Sequence, residues 1–442
     1  MINDLGRWVV LSKKELEAVQ KNSVGSALLK KLESGGMALS KKGQSQLVKD
    51  YRVRYGHLFH PVSLHIVNPT NRCSQSCLYC YSNSQGISSK KKGLDMSPET
   101  ARKTIDFIWQ TPSNGFVVEF QGGEPLANFP AIQEMVGYAK SKRPKKKVHW
   151  RLVSNLTLMD NDIASFLKKN NITDVCTSLD GPKELHDANR PMHGSSYEKA
   201  VYWINALRSD FGFKQIGALC TVTRKSLPFA KQIVDEYLKL GLPDVTAVSL
   251  RKIGRAKPNW QKIGYSPAQF FGFWREMVDY CIALNRKGIP VSEQTCSILL
   301  RKILSPERIS HTCYSKPCGA ALMQCSFQPD GSIYSCDEGK AESLFKIGSI
   351  AQSYKSVFAS PAALNLVSLS SGLGLYCNNC KWTGFCRLCP VTTYAEQHSL
   401  IPVLPELFEC RLKMLQFPYL FEKLFSNDAK ILEKWSKKAA VA

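Results

Sequence analysis

Short apolar stretches alternate with amphipathic helical stretches between residues 62 and 250 of this 442-residue chain. The predicted strands are Val62–Val67, Phe116–Phe120, Val148–Val153, Asp174–Leu179, Ile216–Val222 and Val245–Leu250. Strands that alternate with helices form right-handed crossovers and a parallel sheet, whose ligands gather at the carboxyl ends of the strands. We therefore expect an α/β fold in which six units form an open, partial (β/α)6 barrel.

The rest of the chain divides by composition. Residues 1–60 lack cysteine and form a small N-terminal unit, where peptide docking is possible through a strand edge. The barrel takes residues 61–250, bridging helices take 251–312, a cysteine-rich domain takes 313–415, and a basic helical tail takes 416–442.

Lys and Arg outnumber Asp and Glu by 59 to 36, which gives a formal net charge of +23 and invites a polyanionic partner. No apolar run reaches the roughly 18 residues of a membrane span. The first residues also lack the basic and apolar segments of a secretion signal. We expect a cytoplasmic enzyme without a membrane partner.

The 16 cysteines are unevenly distributed, with three at positions 73–80 and nine between 313 and 410. Clustering of this kind in a chain without a secretion signal indicates metal binding rather than disulfides. Cys73, Cys77 and Cys80 form a C-x3-C-x2-C loop just after the first strand. Three thiolates can surround a 4Fe–4S cluster and leave its fourth iron open to a ligand. The alternatives are a zinc site short of one ligand and inert surface thiols.

This loop, with Tyr79 before its last cysteine, resembles the C-x3-C-x-aromatic-C hallmark of the radical S-adenosylmethionine (SAM) superfamily. Further matches follow the ends of successive strands: Gln121-Gly122-Gly123-Glu124-Pro125, Ser154-Asn155, Ser178-Leu179-Asp180-Gly181-Pro182 and Arg190. The resemblance implies that the backbone and the carboxylate of the Gly-Gly-Glu-Pro element contact the SAM ammonium. It also implies that Asn155, Ser178 and Arg190 hold the ribose and the carboxylate of SAM. The chemistry implied is reductive cleavage of SAM to methionine and a 5'-deoxyadenosyl radical.

The C-terminal cysteines resemble the SPASM domain of the same superfamily, although one spacing, before Cys389, departs from its pattern. The resemblance implies two auxiliary 4Fe–4S clusters, and therefore three clusters in all. The inner cluster would use Cys313, Cys318, Cys336 and Cys389, and the outer one Cys377, Cys380, Cys386 and Cys410. A zinc ribbon formed by the cysteines from Cys377 to Cys389 is the alternative. Cys325 is expected in the core and is also a possible substitute ligand.

Two residues are predicted to be catalytic. Asp337 directly follows Cys336, and in related SPASM enzymes an aspartate there takes a proton from the substrate. Its alternative role is that of a turn residue that caps the loop. Gln121, at the end of the second strand, is the second catalytic prediction.

The layout as a whole resembles that of peptide-modifying maturases, above all the radical SAM maturases of the His-Xaa-Ser peptide system. Asn3-x2-Gly6-Arg7-x-Val9-Val10-Leu11-Ser12 and Ser63-Leu64-His65-Ile66-Val67 carry that likeness. It implies a precursor peptide as substrate, a side-chain cross-link as product, and an electron donor such as flavodoxin or ferredoxin.

Two other functions fit parts of the sequence. An anaerobic sulfatase-type maturase, which oxidises Cys or Ser to formylglycine, would use the same residues. A non-catalytic iron–sulfur or zinc protein could bind nucleic acid through basic runs such as Lys90-Lys91-Lys92. The sequence shows no RNA-binding module pattern, so a nucleic-acid partner is disfavoured.

Overall fold

The strands of the computed structural model follow the predicted alternation. The structure describes residues 1–305, 311–372, 377 and 380–438, without the side chains of residues 41, 42, 371 and 372. Its strands are β1 (Leu64–Val67), β2 (Arg72–Cys73), β3 (Gln85–Gly86), β4 (Gly115–Phe120), β5 (Lys147–Val153), β6 (Asp174–Ser178), β7 (Gln215–Val222), β8 (Asp244–Val245), β9 (Ala247–Ser249), β10 (Ser292–Glu293), β11 (Gln324–Phe327), β12 (Ser332–Tyr334) and β13 (Lys346–Ser349).

Helices separate the strands of the barrel and continue to the end of the described chain. They are α1 (Lys13–Gln20), α2 (Ser26–Ser34), α3 (Lys41–Tyr55), α4 (Pro98–Trp109), α5 (Phe129–Ser141), α6 (Asn161–Lys169), α7 (Lys183–Asn189), α8 (Ser196–Ser209), α9 (Ala230–Lys239), α10 (Ala256–Ile263), α11 (Pro267–Arg286), α12 (Gln294–Leu304), α13 (Tyr354–Phe358), α14 (Pro361–Gly372), α15 (Pro390–Gln397), α16 (Phe408–Leu424) and α17 (Ala429–Lys438). None of them, in the part of the chain described, is long and apolar enough to cross a membrane.

One nine-stranded sheet runs in the order β13-β12-β11-β1-β4-β5-β6-β7-β9. All neighbours from β11 to β9 are parallel, whereas β12 and β13 are antiparallel additions at one edge. Each of the six predicted barrel strands is present and in sequence order, which confirms the α/β prediction. The last of them is split, because β8 pairs with β10 while β9 pairs with β7.

The strands β11 to β13 belong to the cysteine-rich region, and their addition to the barrel sheet was not predicted. His65 of β1 is the register partner of Cys325 of β11. Cys325 is fully buried, and its Sγ lies 3.6 Å from His65 Nδ1. Burial also raises the pKa of its thiol. Cys325 is therefore a core residue, which leaves the predicted ligand set unchanged.

The helices bury the faces that their periodicity predicts. Ser97 caps α4 by accepting a hydrogen bond from Thr100 N, and Pro98 takes the first helical position, where a missing N–H costs nothing. Ala101, Ile105 and Ile108 of that helix are fully buried. Burying a side chain such as Ile contributes roughly 1.5–3 kcal/mol. This packing holds the strand ends in fixed positions at one edge of the sheet.

The N-terminal unit differs from its prediction. Residues 1–60 form α1, α2 and α3 with one isolated bridge between Ile2 and Trp8, so the expected strand edge for a peptide is wrong. Asn3 Oδ1 instead closes a turn by accepting from Leu5 N at 3.0 Å and Arg7 N at 2.9 Å.

That turn packs against the loop between Cys380 and Cys386. A Cβ on Gly6, whose φ is +75°, would lie 3.0 Å from Gly384 O, so only glycine allows the two backbones to approach this closely. Arg54 donates to Leu5 O at 2.7 Å and also to Gly384 O. Gly6 belongs to the N-terminal stretch that resembles peptide maturases. This stretch thus covers the loop between two predicted cluster ligands, Cys380 and Cys386.

The C-terminal helices pack against the bridging helices of the barrel. Tyr419 of α16 contacts Trp274 of α11 with ring centroids 5.6 Å apart, and its hydroxyl donates to Asp279 Oδ1 at 2.8 Å. Helix α16 crosses the predicted domain boundary at residue 415. Residues 306–310 of the predicted bridge, 373–376 and 378–379 of the cysteine-rich domain, and 439–442 of the tail lie outside the described residues.

Candidate active site

The first cysteine loop lies at the carboxyl end of β1. Cys73 and Cys77 are buried and Cys80 is half-buried. Burial raises the pKa of Cys73 to about 11 and that of Cys77 to about 12, and the Cys80 thiol adds to both increases. The three predicted ligands of the loop are therefore close enough for their charges to interact.

Polar groups surround these sulfurs. Gln75 N lies 3.4 Å and Asn155 Nδ2 3.6 Å from Cys73 Sγ, and Ser84 Oγ lies 3.4 Å from Cys80 Sγ. Hydrogen bonds to sulfur are one of the means by which proteins tune iron–sulfur clusters. The donor set therefore fits a 4Fe–4S cluster held by Cys73, Cys77 and Cys80. No group of three or more His, Cys, Asp or Glu residues within the described ranges forms a ready site for a metal ion, so the ligand sets stay predictions.

The glycine pair after β4 packs directly on this loop. A Cβ on Gly123 would lie 2.2 Å from Arg72 O, and one on Gly122 would lie 2.6 Å from Thr70 O. Gly123 N donates to Thr70 O at 2.9 Å. Any side chain at these positions would push the cysteine loop away, which is a sufficient reason for both glycines. Their predicted contact with SAM is a further role that this packing does not test.

The carboxylate of Glu124 accepts three hydrogen bonds from other groups of the protein. It is fully buried, with Oε1 accepting from Ser154 Oγ at 2.7 Å and Oε2 from Asn155 N at 2.8 Å. Leu126 N, after the buried Pro125, donates to Oε1 at 3.1 Å. Burial raises the pKa of Glu124 to about 7. These bonds join the ends of β4 and β5, and the expected contact of this carboxylate with the SAM ammonium stays a prediction.

Arg190 is also engaged by a protein carboxylate. Its Nε and Nη2 donate to the two oxygens of Asp180 at 3.0 and 3.1 Å, and both side chains are buried. The guanidinium lies 5.3 Å from the centroid of the Tyr79 ring, and the Tyr79 hydroxyl donates to Asp180 Oδ2 at 2.6 Å. A buried guanidinium needs such a partner. The predicted contact of Arg190 with the SAM carboxylate stays a prediction. Asp180, within the Ser-Leu-Asp-Gly-Pro stretch, is a positioning residue that sequence reasoning missed.

Asn155 and Ser178 complete the strand-end set. Asn155 is buried, and its Oδ1 accepts from Thr157 N at 2.9 Å while its Nδ2 donates to Ser74 Oγ at 3.3 Å. Ser178 is half-buried at the end of β6. Both residues lie at the sheet edge that carries the cysteine loop, and their contact with SAM stays a prediction.

A second polar group joins this loop to the cysteine-rich region. The Tyr81 hydroxyl donates to Asp337 and, at 3.3 Å, to Gln121 Oε1. Lys340 Nζ lies 2.8 Å from Asp337 Oδ1 and 5.1 Å from the centroid of the Tyr81 ring. The side chain of Asp337 is 14% exposed and makes no capping hydrogen bond, which contradicts the capping role that was its alternative. Tyr81 and Lys340 were missed, and their signal was position alone, next to Cys80 and three residues after Asp337.

The C-terminal thiols form two electrostatic groups. Burial raises the pKa of Cys336, and the thiols that add to the increase are Cys389, Cys318 and Cys313. Burial likewise raises the pKa of Cys410, with further increases from Cys377 and Cys380, and Cys377 adds to the increase at Cys386. These electrostatic neighbours are consistent with the inner and outer sets that the SPASM resemblance implies, and both sets stay predictions.

Cationic side chains are buried among these thiols. Lys302 is 6% exposed, and Arg387 and Lys413 are both 8% exposed. Like charges in a protein interior repel strongly unless an anionic group compensates them. Cubane clusters held by four thiolates carry net negative charge, so the buried cations fit two auxiliary clusters in this region.

The segment that carries this geometry matches a known protein family. The model of the radical SAM superfamily matches residues 67–227, from the end of β1 to the turn after β7. The chain carries a radical SAM domain. That domain holds the cysteine loop, the glycine pair, Asn155, Ser178 and Arg190.

Two curated relatives extend beyond or overlap the domain. A cysteine-type anaerobic sulfatase-maturating enzyme of Clostridium perfringens is 27% identical over 342 residues, which is 74% of this chain and 88% of that enzyme. An uncharacterised protein of Methanocaldococcus jannaschii is 30% identical over 186 residues, which is 41% of this chain and only 60% of that protein. The radical SAM domain is thus homologous to that of sulfatase maturases.

Solved structures show the same fold. The anaerobic sulfatase-maturating enzyme anSMEcpe with bound AdoMet superposes with a TM-score of 0.70 at 21% identity, covering 85% of this chain and 98% of that one. Streptococcus suis SuiB bound to its precursor peptide SuiA superposes with a TM-score of 0.58 at 13% identity, covering 92% and 95%. At these identities the likeness establishes the fold and not the substrate.

Proposed function

We propose that this protein modifies a ribosomally made precursor peptide by removing a hydrogen atom and forming a side-chain cross-link. The observation that carries the proposal is the contact of Tyr81 with Asp337. It places a carboxylate of the cysteine-rich region beside the SAM-side cysteine loop. A substrate held at the carboxyl ends of the strands would lie next to both.

Each residue of the sheet edge has a part in this reaction. Cys73, Cys77 and Cys80 would hold the SAM-binding cluster, and the backbone of Gly122 and Gly123 would border SAM. When bound, SAM and its cluster supply the radical that takes hydrogen from the substrate. Glu124 and Asp180 fix the surrounding loops, because their carboxylates bind groups from neighbouring strands.

Asp337 would accept the proton that leaves the substrate. General bases act within hydrogen-bond reach of that proton and typically contribute 10²–10⁴-fold to rate. Tyr81 and Lys340 hold its two oxygens, and Gln121 holds the Tyr81 hydroxyl on the other side. The carboxylate is thereby fixed toward the strand ends.

The accessory parts follow the same proposal. The inner and outer cysteine sets would hold two auxiliary 4Fe–4S clusters, which would accept the electron that leaves the substrate with the proton. A flavodoxin or ferredoxin would supply the electron that cleaves SAM. The enzyme would act in the cytoplasm, where its precursor peptide is made.

Formylglycine formation is the second candidate. It is favoured by the alignment with the sulfatase-maturating enzyme of Clostridium perfringens, which spans 88% of that enzyme. Both candidates use the same cysteine loop and the same aspartate, so the product distinguishes them.

The test is anaerobic incubation of iron-loaded protein with SAM, a reductant and two peptides, one from a neighbouring precursor gene and one with a sulfatase-type cysteine. A cross-link removes two hydrogen atoms and keeps both side chains, whereas formylglycine from cysteine loses the sulfur. Formation of neither methionine nor 5'-deoxyadenosine, with salt-sensitive RNA binding, would favour the nucleic-acid function over both.

A further inference from the structure

Arg387 lies in the two-residue spacer between Cys386 and Cys389. These cysteines are predicted ligands of the outer and the inner cluster, and the spacing before Cys389 is where the chain departs from the SPASM pattern. The guanidinium is buried rather than solvated, with 6% of the side chain exposed. A buried arginine between two predicted redox sites requires an explanation.

Its contacts place it beside the inner set. Arg387 Nη2 lies 3.8 Å from Glu409 Oε1, and Glu409 Oε2 accepts from Cys389 N at 3.1 Å. The guanidinium also lies 5.6 Å from the centroid of the ring of Tyr314, the residue after Cys313. Burial raises the pKa of the Cys318 thiol, and the positive charge of Arg387 lowers it.

One of its donors has no acceptor. Arg387 Nε is buried, and none of the described residues accepts a hydrogen bond from it. An unsatisfied buried donor is destabilising, and more so when it belongs to a charged group. The neighbouring carboxylate of Glu409 pairs with Nη2 and does not serve Nε.

Other buried cations surround the same aromatic ring. Lys413 Nζ lies 5.8 Å from the Tyr314 ring centroid, and Lys302 Nζ donates to Tyr314 O at 2.9 Å. Cys386 of the outer set raises the pKa of both lysines, although burial lowers it more. Arg387 thus lies beside the inner set, where the charge of the half-buried Arg251 also lowers the pKa of Cys313, while the lysines lie nearer Cys386.

We infer that Arg387 is a positioning residue for the inner auxiliary cluster. Its Nε–H would donate a hydrogen bond to that cluster, and its fixed charge would stabilise the state that has gained one electron. Charge and hydrogen bonds near a cluster set its reduction potential, and charges act strongly where water is excluded. The inference rests on the proposed function only for the presence of that cluster.

The test is a potentiometric titration, followed by electron paramagnetic resonance, of the full chain with Cys73, Cys77 and Cys80 replaced by Ala. In this triple variant, only the redox couples of the two predicted auxiliary clusters remain to be measured. Arg387→Gln should lower the equilibrium constant for reduction of one of the two clusters at least tenfold. Its reduction potential then falls by about 59 mV for one electron. Arg387→Lys, which keeps the charge, should restore most of that loss.

Two further variants make the result specific. Arg411→Gln removes an exposed arginine beside Cys410, and it should shift either couple by less than threefold because water screens its charge. Glu409→Gln removes the carboxylate that partners Arg387 and should raise the potential of the same couple. This opposite shift remains measurable if Arg387→Gln fails to load iron.

The inference is overturned by unchanged couples in Arg387→Gln at about eight irons per chain, the content of two four-iron clusters. An equal shift in Arg411→Gln, or no rise in Glu409→Gln, also overturns it. Absence of iron from the C-terminal cysteines would refute the inference directly. Failure to modify a peptide, with these potentials shifted as expected, would count against the proposed function alone.

Discussion

The two cysteine regions differ in the charges buried around them. Near the first loop, Glu124 raises the pKa of Cys73, and the cation Arg190 is already paired with Asp180. Near the C-terminal set, Lys302, Arg387 and Lys413 are buried together. The first environment is balanced or acidic, whereas the second holds three basic side chains, of which Arg387 and Lys413 lie near the carboxylate of Glu409.

This difference in buried charge indicates how the charge of each predicted cluster would be compensated. SAM carries a sulfonium and an ammonium, so a cluster that binds it receives positive charge from its ligand. A cluster with four protein thiolates has no such ligand, and buried side chains must supply the compensation. The charge pattern is the one expected if the first loop holds an open cluster and the C-terminal cysteines hold two closed ones.

Removing the predicted open cluster should have the largest effect on iron content and on SAM cleavage. Replacing Cys73, Cys77 and Cys80 with Ala should eliminate about four irons and all formation of 5'-deoxyadenosine, while the auxiliary iron remains. Iron analysis and chromatography of the products measure both. Cys176→Ala, at a half-buried cysteine of β6 outside the ligand sets, is the control and should keep full cleavage. Cleavage retained in the triple variant would show that the SAM site lies elsewhere.

The link between the regions is tested next, at Asp337. Asp337→Asn should keep SAM cleavage but lower peptide product by about 10²–10⁴-fold, because the amide cannot accept the proton. Product mass spectrometry measures the coupling. Glu342→Gln changes an acid of the same segment and should behave as the unsubstituted protein. Normal turnover in Asp337→Asn would exclude Asp337 as the base.

The buried cations predict a pH effect that should separate iron-free from iron-loaded protein. Burial, followed by the charge of Arg54, lowers the pKa of Lys302 well below 10.5. Between its folded pKa and 10.5 the unfolded chain binds more protons, so stability of the iron-free protein should rise with pH. The slope is at most about 1.4 kcal/mol per pH unit for one proton.

Lys302→Met should remove that contribution in thermal unfolding of the iron-free protein. Iron loading should reduce it in the parent, because cluster charge holds the lysine protonated. Lys430→Met, at an exposed lysine of α17, should leave the slope unchanged. A slope that Lys302→Met does not alter would argue against an uncompensated buried charge.

The smallest expected effect concerns the cover over the outer loop. Gly6→Ala places a methyl group at φ +75° and 3.0 Å from Gly384 O, at a cost of about 1–2 kcal/mol. Hydrogen exchange in residues 1–12 and 381–385 should become roughly tenfold faster. Gly25→Ala, where nothing lies within 4 Å of the added methyl group, is the control. Equal exchange in both variants would show that the contact is not needed.

Local patterns carried most of the sequence prediction. Apolar runs located the barrel strands, whereas the cysteine ligands, which spacing and the family resemblance suggest, stay predictions. Contacts between distant segments could not be read in the same way, such as Tyr81 with Asp337 or β1 with β11. The bonds of Glu124 to Ser154 and of Arg190 to Asp180 were missed for the same reason, because each joins groups from different segments.

The pairing of β1 with β11 makes the barrel and the cysteine-rich region one continuous ladder of backbone hydrogen bonds. Excising residues 61–250 would leave the first barrel strand with bare amide and carbonyl groups, a template for aggregation. Laboratory chimeras that exchange only the C-terminal half must therefore carry a strand that matches this edge. Gene fusion and recombination among related enzymes face the same restriction, so we expect the two halves to be inherited together.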